Sequence, residues 1–107
     1  MISTHILDTS KGVPASAVTV QLLIKEGTSW KTIGTGITNA DGRLVFDCEK
    51  NAGIYQLHFE IESYFKKTSS EFFFVNAPVT FKVEDTNRKY HVPLLLNPFG
   101  YSTYRGT

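Results

Sequence analysis

Histidine and arginine are scarce enough in this chain to be weighed one by one: three of each among 107 residues, against eight lysines. An imidazole titrates near neutral pH, so it can move a proton or hold a metal. A guanidinium presents a planar fork that grips a planar anion through two hydrogen bonds. His91 stands inside the run Tyr90-His-Val-Pro-Leu-Leu-Leu96, where a solvated strand position is more usually Lys, Thr or Glu; it reads equally well as a site residue and as a surface one. His5 precedes Ile6-Leu7-Asp8 and alone is a polar residue at a strand end, and His58 sits on a polar face with Gln56 and Glu60. Arg43 follows the tight turn Asp41-Gly42. Arg105 belongs to an aromatic C-terminal run, Tyr101-Ser-Thr-Tyr-Arg-Gly-Thr107, whose strand-like character suggests a docked tail, because termini are ordinarily loose and polar.

Other chemistries lack their parts. A structural zinc site takes four N or S ligands and a catalytic one three from the protein; two histidines with no acidic partner at ligand spacing fall short, so neither metal nor cofactor is expected. Asp8 points away from His5 by strand parity. There is no G-x-S-x-G elbow for a serine nucleophile. Cys48 follows Phe46-Asp47 with no local feature to depress its pKa. Gly34-Thr35-Gly36 lies in a strand-like run and not ahead of a helix, so it is no dinucleotide fingerprint.

The elements that must position these residues are strands. Val, Ile and Thr make up 27 of the 107 residues, joined by 14 aromatics, which is strand composition. Apolar residues alternate with polar ones at Val18–Lys25, Tyr55–Glu62 and Val79–Glu84, and turn signals at Lys11-Gly12, Glu26-Gly27, Asn39–Gly42, Asn51–Gly53, Asp85–Asn87 and Asn97–Gly100 separate the runs. The pattern predicts one all-β domain over residues 1–107, a sandwich of seven or eight short strands, with a single short helix over 62–68. In the strand around His91, Tyr90, Val92, Leu94 and Leu96 share one face and His91, Pro93 and Leu95 the other. His5 shares a face with Leu7, and Ser102 with Tyr104 and Gly106. Were these three strands neighbours, the sandwich would carry a semi-apolar outer patch dotted with His5, His91 and Tyr104, of the kind that marks an oligomer or ligand interface. Pro93 sits oddly there, because proline is normally confined to sheet edges and bulges.

Composition sets outer bounds. A formal charge of +1 offers no basic footprint for nucleic acid and no polybasic face for a membrane, and no apolar run reaches the roughly 18 residues of a membrane span. One cysteine makes no internal disulfide and fits a reducing compartment. With no recognisable signal peptide at Met1–Asp8, the expectation is a complete cytoplasmic protein.

Three stretches, His5-Ile-Leu-Asp-Thr-Ser-Lys-Gly-Val-Pro-Ala15, Asp41-Gly-Arg-Leu44 and His91-Val-Pro-Leu-Leu-Leu-Asn-Pro-Phe-Gly-Tyr-Ser-Thr-Tyr-Arg-Gly-Thr107, resemble the signatures of the transthyretin-like 5-hydroxyisourate hydrolases, over the whole chain. Transthyretin itself shares the sandwich but lacks the histidine pair and the Tyr-Arg-Gly tail. The resemblance implies an eight-stranded transthyretin-like sandwich with one short helix. It also implies a homotetramer, a dimer of dimers, with active sites at the dimer–dimer interface. It implies hydrolysis of 5-hydroxyisourate, the product of urate oxidation, to 2-oxo-4-hydroxy-4-carboxy-5-ureidoimidazoline, without a metal. The catalytic set carries over to His5, Arg43 and His91, with Ser102, Tyr104, Arg105, Gly106 and Thr107 shaping the substrate site. Thr107 stands where the family usually has Ser, as does Asn97. The alternative reading is a small-ligand carrier of transthyretin type without catalysis.

Overall fold

The computed structural model describes residues 1–48 and 51–107. The alternating runs form β1 (Ile2–Asp8), β2 (Val13–Pro14), β3 (Thr19–Glu26), β4 (Ser29–Ile37), β5 (Arg43–Phe46), β6 (Gly53–Glu60), β7 (Ala77–Val83), β8 (Tyr90–Asn97) and β9 (Gly100–Thr103), with α1 (Ile61–Lys67) between β6 and β7. This is the expected two-sheet sandwich with one short helix; the ninth segment is the two-residue β2.

One sheet is built around β1. Its whole length pairs in parallel with β8, and its other edge is shared by β5 and β2, both antiparallel; β9 lies beyond β8. The second sheet runs β4-β3-β6-β7, antiparallel throughout. Period 2 decides which side chains meet between the sheets: Ile2 and Ile6 from β1 and Val92, Leu94 and Leu96 from β8 face Val20, Leu22, Tyr55, Leu57 and Phe59, all buried. Each large side chain removed from water contributes roughly 1.5–3 kcal/mol, so this alternation settles which face of β1 and β8 is left outward. Among the described residues no helix is long and apolar enough to cross a membrane.

Helix α1 buries Ile61, Tyr64 and Phe65. The Tyr64 hydroxyl donates to Asp8 Oδ2 at 2.7 Å. Burial pushes the Asp8 carboxyl up, but hydrogen bonds from Ser10, Tyr64 and the Ser10 and Lys11 amides outweigh it and hold the group below its ordinary value. Asp8 thus faces the interior with Thr4 and Ile6, as parity requires, and ties the helix to β1 instead of serving the outer face.

Pro93 lies in the middle of a central strand, and the register explains why it is tolerated. Gly106 bridges His91 and its amide donates to the His91 carbonyl at 2.8 Å. Two residues along, Pro93 therefore directs its missing N–H towards Tyr104, not towards β1. The β8–β9 ladder stops at the Leu94–Thr103 pair, and the Thr103 hydroxyl caps the Pro93 carbonyl at 2.7 Å. The absent donor falls on the side of the edge strand, where it ends that strand's pairing and leaves the β1–β8 ladder whole.

Candidate functional site

The outward face of the β1 sheet gathers residues from four segments. His5 is in register with Arg43 of β5 on one side and with Pro93 of β8 on the other. Ser3, one step along β1 on the same face, lies between Val45 and His91. Leu7 is paired with Leu95, and Leu95 in turn with Ser102. Continuing β9 by parity puts Tyr104 beside Pro93. His5, Arg43, His91, Ser102 and Tyr104 therefore share one surface, interleaved with Leu7, Pro93, Leu95 and Val45. Leu7 and Leu95 are only half-buried and Val45 and Tyr104 are exposed, so the sandwich itself leaves this apolar surface uncovered.

Arg43 is fixed by the turn before it. The Asn39 side-chain oxygen accepts the Asp41 amide at 2.9 Å and the Arg43 amide at 3.0 Å. Gly42 adopts φ +74°, and its carbonyl accepts the Ile6 amide at 2.8 Å. A Cβ at position 42 would lie 2.5 Å from the Ile6 carbonyl oxygen. Only glycine allows both the left-handed backbone and that approach, and the result is a guanidinium stem held beside His5.

His91 is clamped on both sides. Its Nδ1 lies 2.9 Å from Ser3 Oγ, and across the ring Gly106 packs so closely that an added Cβ would sit 2.5 Å from His91 Cδ2. Burial lowers the His91 pKa from its ordinary value, and the positive fields of Arg43 and His5 lower it further. A half-buried imidazole crowded by cations favours its neutral, proton-accepting form.

The tail divides. Ser102 and Tyr104 face the patch, Gly106 lies flat on the imidazole, and Thr107 follows it, exposed. Arg105 alternates to the other side, where its guanidinium carbon stands 5.2 Å above the Tyr90 ring, so in the single chain it does not join His5 and His91. His58 lies in the other sheet, 3.8 Å from Glu60. A groove of about 290 Å³ opens between β7 and the tail; its walls include Phe81, Tyr90, His91 and Arg105 but neither His5 nor Arg43, so it is not where the polar residues converge. Ser3 is the residue of this face that sequence reasoning passed over. It shares the face of His5 by parity, but only the parallel β1–β8 register shows that it meets His91.

A family model described as the HIUase/Transthyretin family matches residues 2–106. The chain is 44% identical to a 5-hydroxyisourate hydrolase of Salmonella dublin over an alignment that takes in 100% of this chain and 81% of that protein. The solved 5-hydroxyisourate hydrolase of Klebsiella pneumoniae is similar with a TM-score of 0.87 at 39% identity, over 99% of this chain and 98% of that one. Sea bream transthyretin, solved in complex with thyroxine, has a TM-score of 0.92 at 32% identity, over 99% and 94%.

Proposed function

The chain belongs to the HIUase/Transthyretin family, and from that premise we propose that it hydrolyses 5-hydroxyisourate to 2-oxo-4-hydroxy-4-carboxy-5-ureidoimidazoline, in the breakdown of urate. Backbone similarity does not separate this reading from the carrier: the thyroxine-bound transthyretin has the higher TM-score and the Klebsiella hydrolase the higher identity. The side chains do. One observation carries the proposal: Arg43, His5 and His91 share an uncovered face, where burial and the fields of Arg43 and His5 lower the His91 pKa. A carrier gains nothing from two imidazoles and a guanidinium on one wall, whereas hydrolysis uses each.

His91 acts as general base, its neutral ring taking a proton from water as the water oxygen adds to the ring carbonyl. The carbonyl's electron pair moves onto oxygen, where Arg43 stabilises the developing charge and grips the ring's anionic oxygens. The C–N bond then breaks as the departing ring nitrogen takes the proton back from an imidazolium. The products are a carboxylic acid, ionised at neutral pH, and the freed N–H; water is the only co-reactant, and neither metal nor covalent enzyme intermediate takes part. His5, with Ser102, Tyr104, Gly106 and Thr107, walls the pocket; Arg105 props the tail through Tyr90.

The same patch supports assembly as a dimer of dimers, with four copies burying Leu7, Val45, Leu95 and Tyr104 around a shared channel. The free thiol Cys48 suits a reducing, cytoplasmic setting. The deciding experiment follows the absorbance decay of freshly generated 5-hydroxyisourate with and without protein. Acceleration lost in His91→Asn and His5→Asn variants of unchanged mass supports the reading; a decay no faster than the spontaneous one returns the carrier. Sedimentation should give four times the 12.0 kDa chain mass.

A further inference from the structure

We propose that Ser3 is a positioning residue for His91, its hydroxyl accepting a hydrogen bond from Nδ1–H so that the lone pair of the neutral ring is held on Nε2, turned towards the patch. The inference rests on the hydrolase reading and deepens it by assigning which ring nitrogen takes the proton.

The bond is set by backbone register and not by a flexible reach. Ser3 and His91 are directly opposed across the parallel β1–β8 ladder, so their side chains leave the sheet side by side, and Oγ stands 2.9 Å from Nδ1. Gly106 closes the far side of the ring, which therefore cannot swing away from the hydroxyl without displacing the tail. With Nδ1 occupied by Ser3, Nε2 is the nitrogen left for the reacting water.

A hydroxyl suits this position for a chemical reason. When Nε2 takes a proton, Nδ1 keeps its hydrogen, and Ser3 continues to accept it without rearrangement. A carboxylate would orient the ring equally well but would also stabilise the imidazolium and raise its pKa, as in a catalytic triad. Among the described residues, the groups around His91 carry no negative charge: Arg43 from β5, His5 from β1 and Tyr104 from the tail, with Lys82 of β7 and Arg105 on the adjoining groove. Ser3 thus fixes the tautomer while leaving the base weakly basic, so that it stays neutral at neutral pH.

The test compares Ser3→Thr with Ser3→Val, two β-branched side chains of similar shape that differ by the hydroxyl, with Ser3→Ala beside them. Thr should keep kcat within about threefold of the parent, while Val and Ala lose about 10- to 100-fold in kcat, by analogy with the range found for outer-shell partners that orient metal-bound imidazoles, with KM within about twofold. Nitrogen-15 shifts of the His91 ring should report Nδ1 protonated and Nε2 bare in the parent and in Ser3→Thr, and a mixture of tautomers in Ser3→Val and Ser3→Ala. A merely structural Ser3 would lower thermal stability without moving those shifts. Unchanged kcat and ring shifts in folded Ser3→Val and Ser3→Ala, from an active parent, overturn the inference alone. An inactive parent overturns the hydrolase reading, and the inference falls with it.

Discussion

Gly106→Ala is the sharpest perturbation the structure offers, because it adds one methyl group against the proposed base. The new Cβ would lie 2.5 Å from His91 Cδ2, 3.2 Å from Cγ and 3.3 Å from the His91 carbonyl oxygen, where carbon atoms rest at about 3.5–4.0 Å. Something must yield by about 1 Å. If the ring turns, it gives up the 2.9 Å contact with Ser3; if the tail lifts, it gives up the 2.8 Å bond from the Gly106 amide to the His91 carbonyl. Either route misplaces the imidazole or unwalls the pocket by a distance that costs about 100-fold in rate, or about 2.7 kcal/mol of transition-state stabilisation. Folding should suffer far less, since what holds the tail there is peripheral, a backbone bond worth about 0.5–1.5 kcal/mol and the exposed Arg105 against Tyr90. The assay is kcat/KM from 5-hydroxyisourate decay, with chemical denaturation run in parallel. Gly100→Ala is the control, because a Cβ there meets only the Asn97 side chain, at 3.9 Å and beyond, and it should behave as the parent. A folded Gly106→Ala protein with kcat/KM within twofold of the parent would refute the idea that the tail and the imidazole form one packed unit.

Other expectations follow from charge and hydrogen bonding. Arg43→Ala removes a cation that disfavours imidazolium, so the acid limb of the pH–rate profile should move to higher pH while kcat/KM falls about 10²–10³-fold at neutral pH. His91 binds its proton less readily folded than unfolded, so the unfolded chain takes up the proton first on acidification. Its share of stability is present above about pH 6.5 and declines as pH falls through the lower folded value; denaturation midpoints between pH 7 and pH 5 should therefore fall less steeply in His91→Asn. Tyr64→Phe strips the 2.7 Å bond to the buried Asp8 carboxylate and should cost about 1.5–3 kcal/mol at pH 7, measured by urea unfolding. That loss should shrink in strong acid, because the depressed Asp8 pKa stabilises the fold only while the carboxylate is ionised.

The sandwich was legible because its causes are local. Alternation in Tyr55–Glu60 and Tyr90–Asn97 assigns inner and outer faces without knowledge of any partner strand, and Asp8 pointing inward followed from counting alone. The patch was legible only conditionally: His5, His91 and Tyr104 lay on outward faces, but their meeting required β1, β8 and β9 to be neighbours, which parity cannot decide. Arg43 joins them through the antiparallel β1–β5 pairing, a contact across 38 residues of chain with no signature beyond the Asp41-Gly42 turn. Ser3 stayed hidden for the same reason. A serine in a strand is unremarkable until the register sets it opposite a histidine 88 residues away.

Pro93 and Gly106 connect these two levels. Each looks like a defect when read alone, a proline in a central strand and a glycine in a terminal tail. The register makes them complementary: proline withholds the one donor that would have continued the β8–β9 ladder, so the tail leaves regular pairing after Thr103 and returns at Gly106. On its return it needs a residue without a side chain, because the backbone passes against the imidazole of His91. Between the break and the return lie Tyr104, turned to the patch, and Arg105, turned to Tyr90. The interruption that costs the edge strand one ladder hydrogen bond is thus what brings the tail's backbone against the proposed base, and it does so with strands alone.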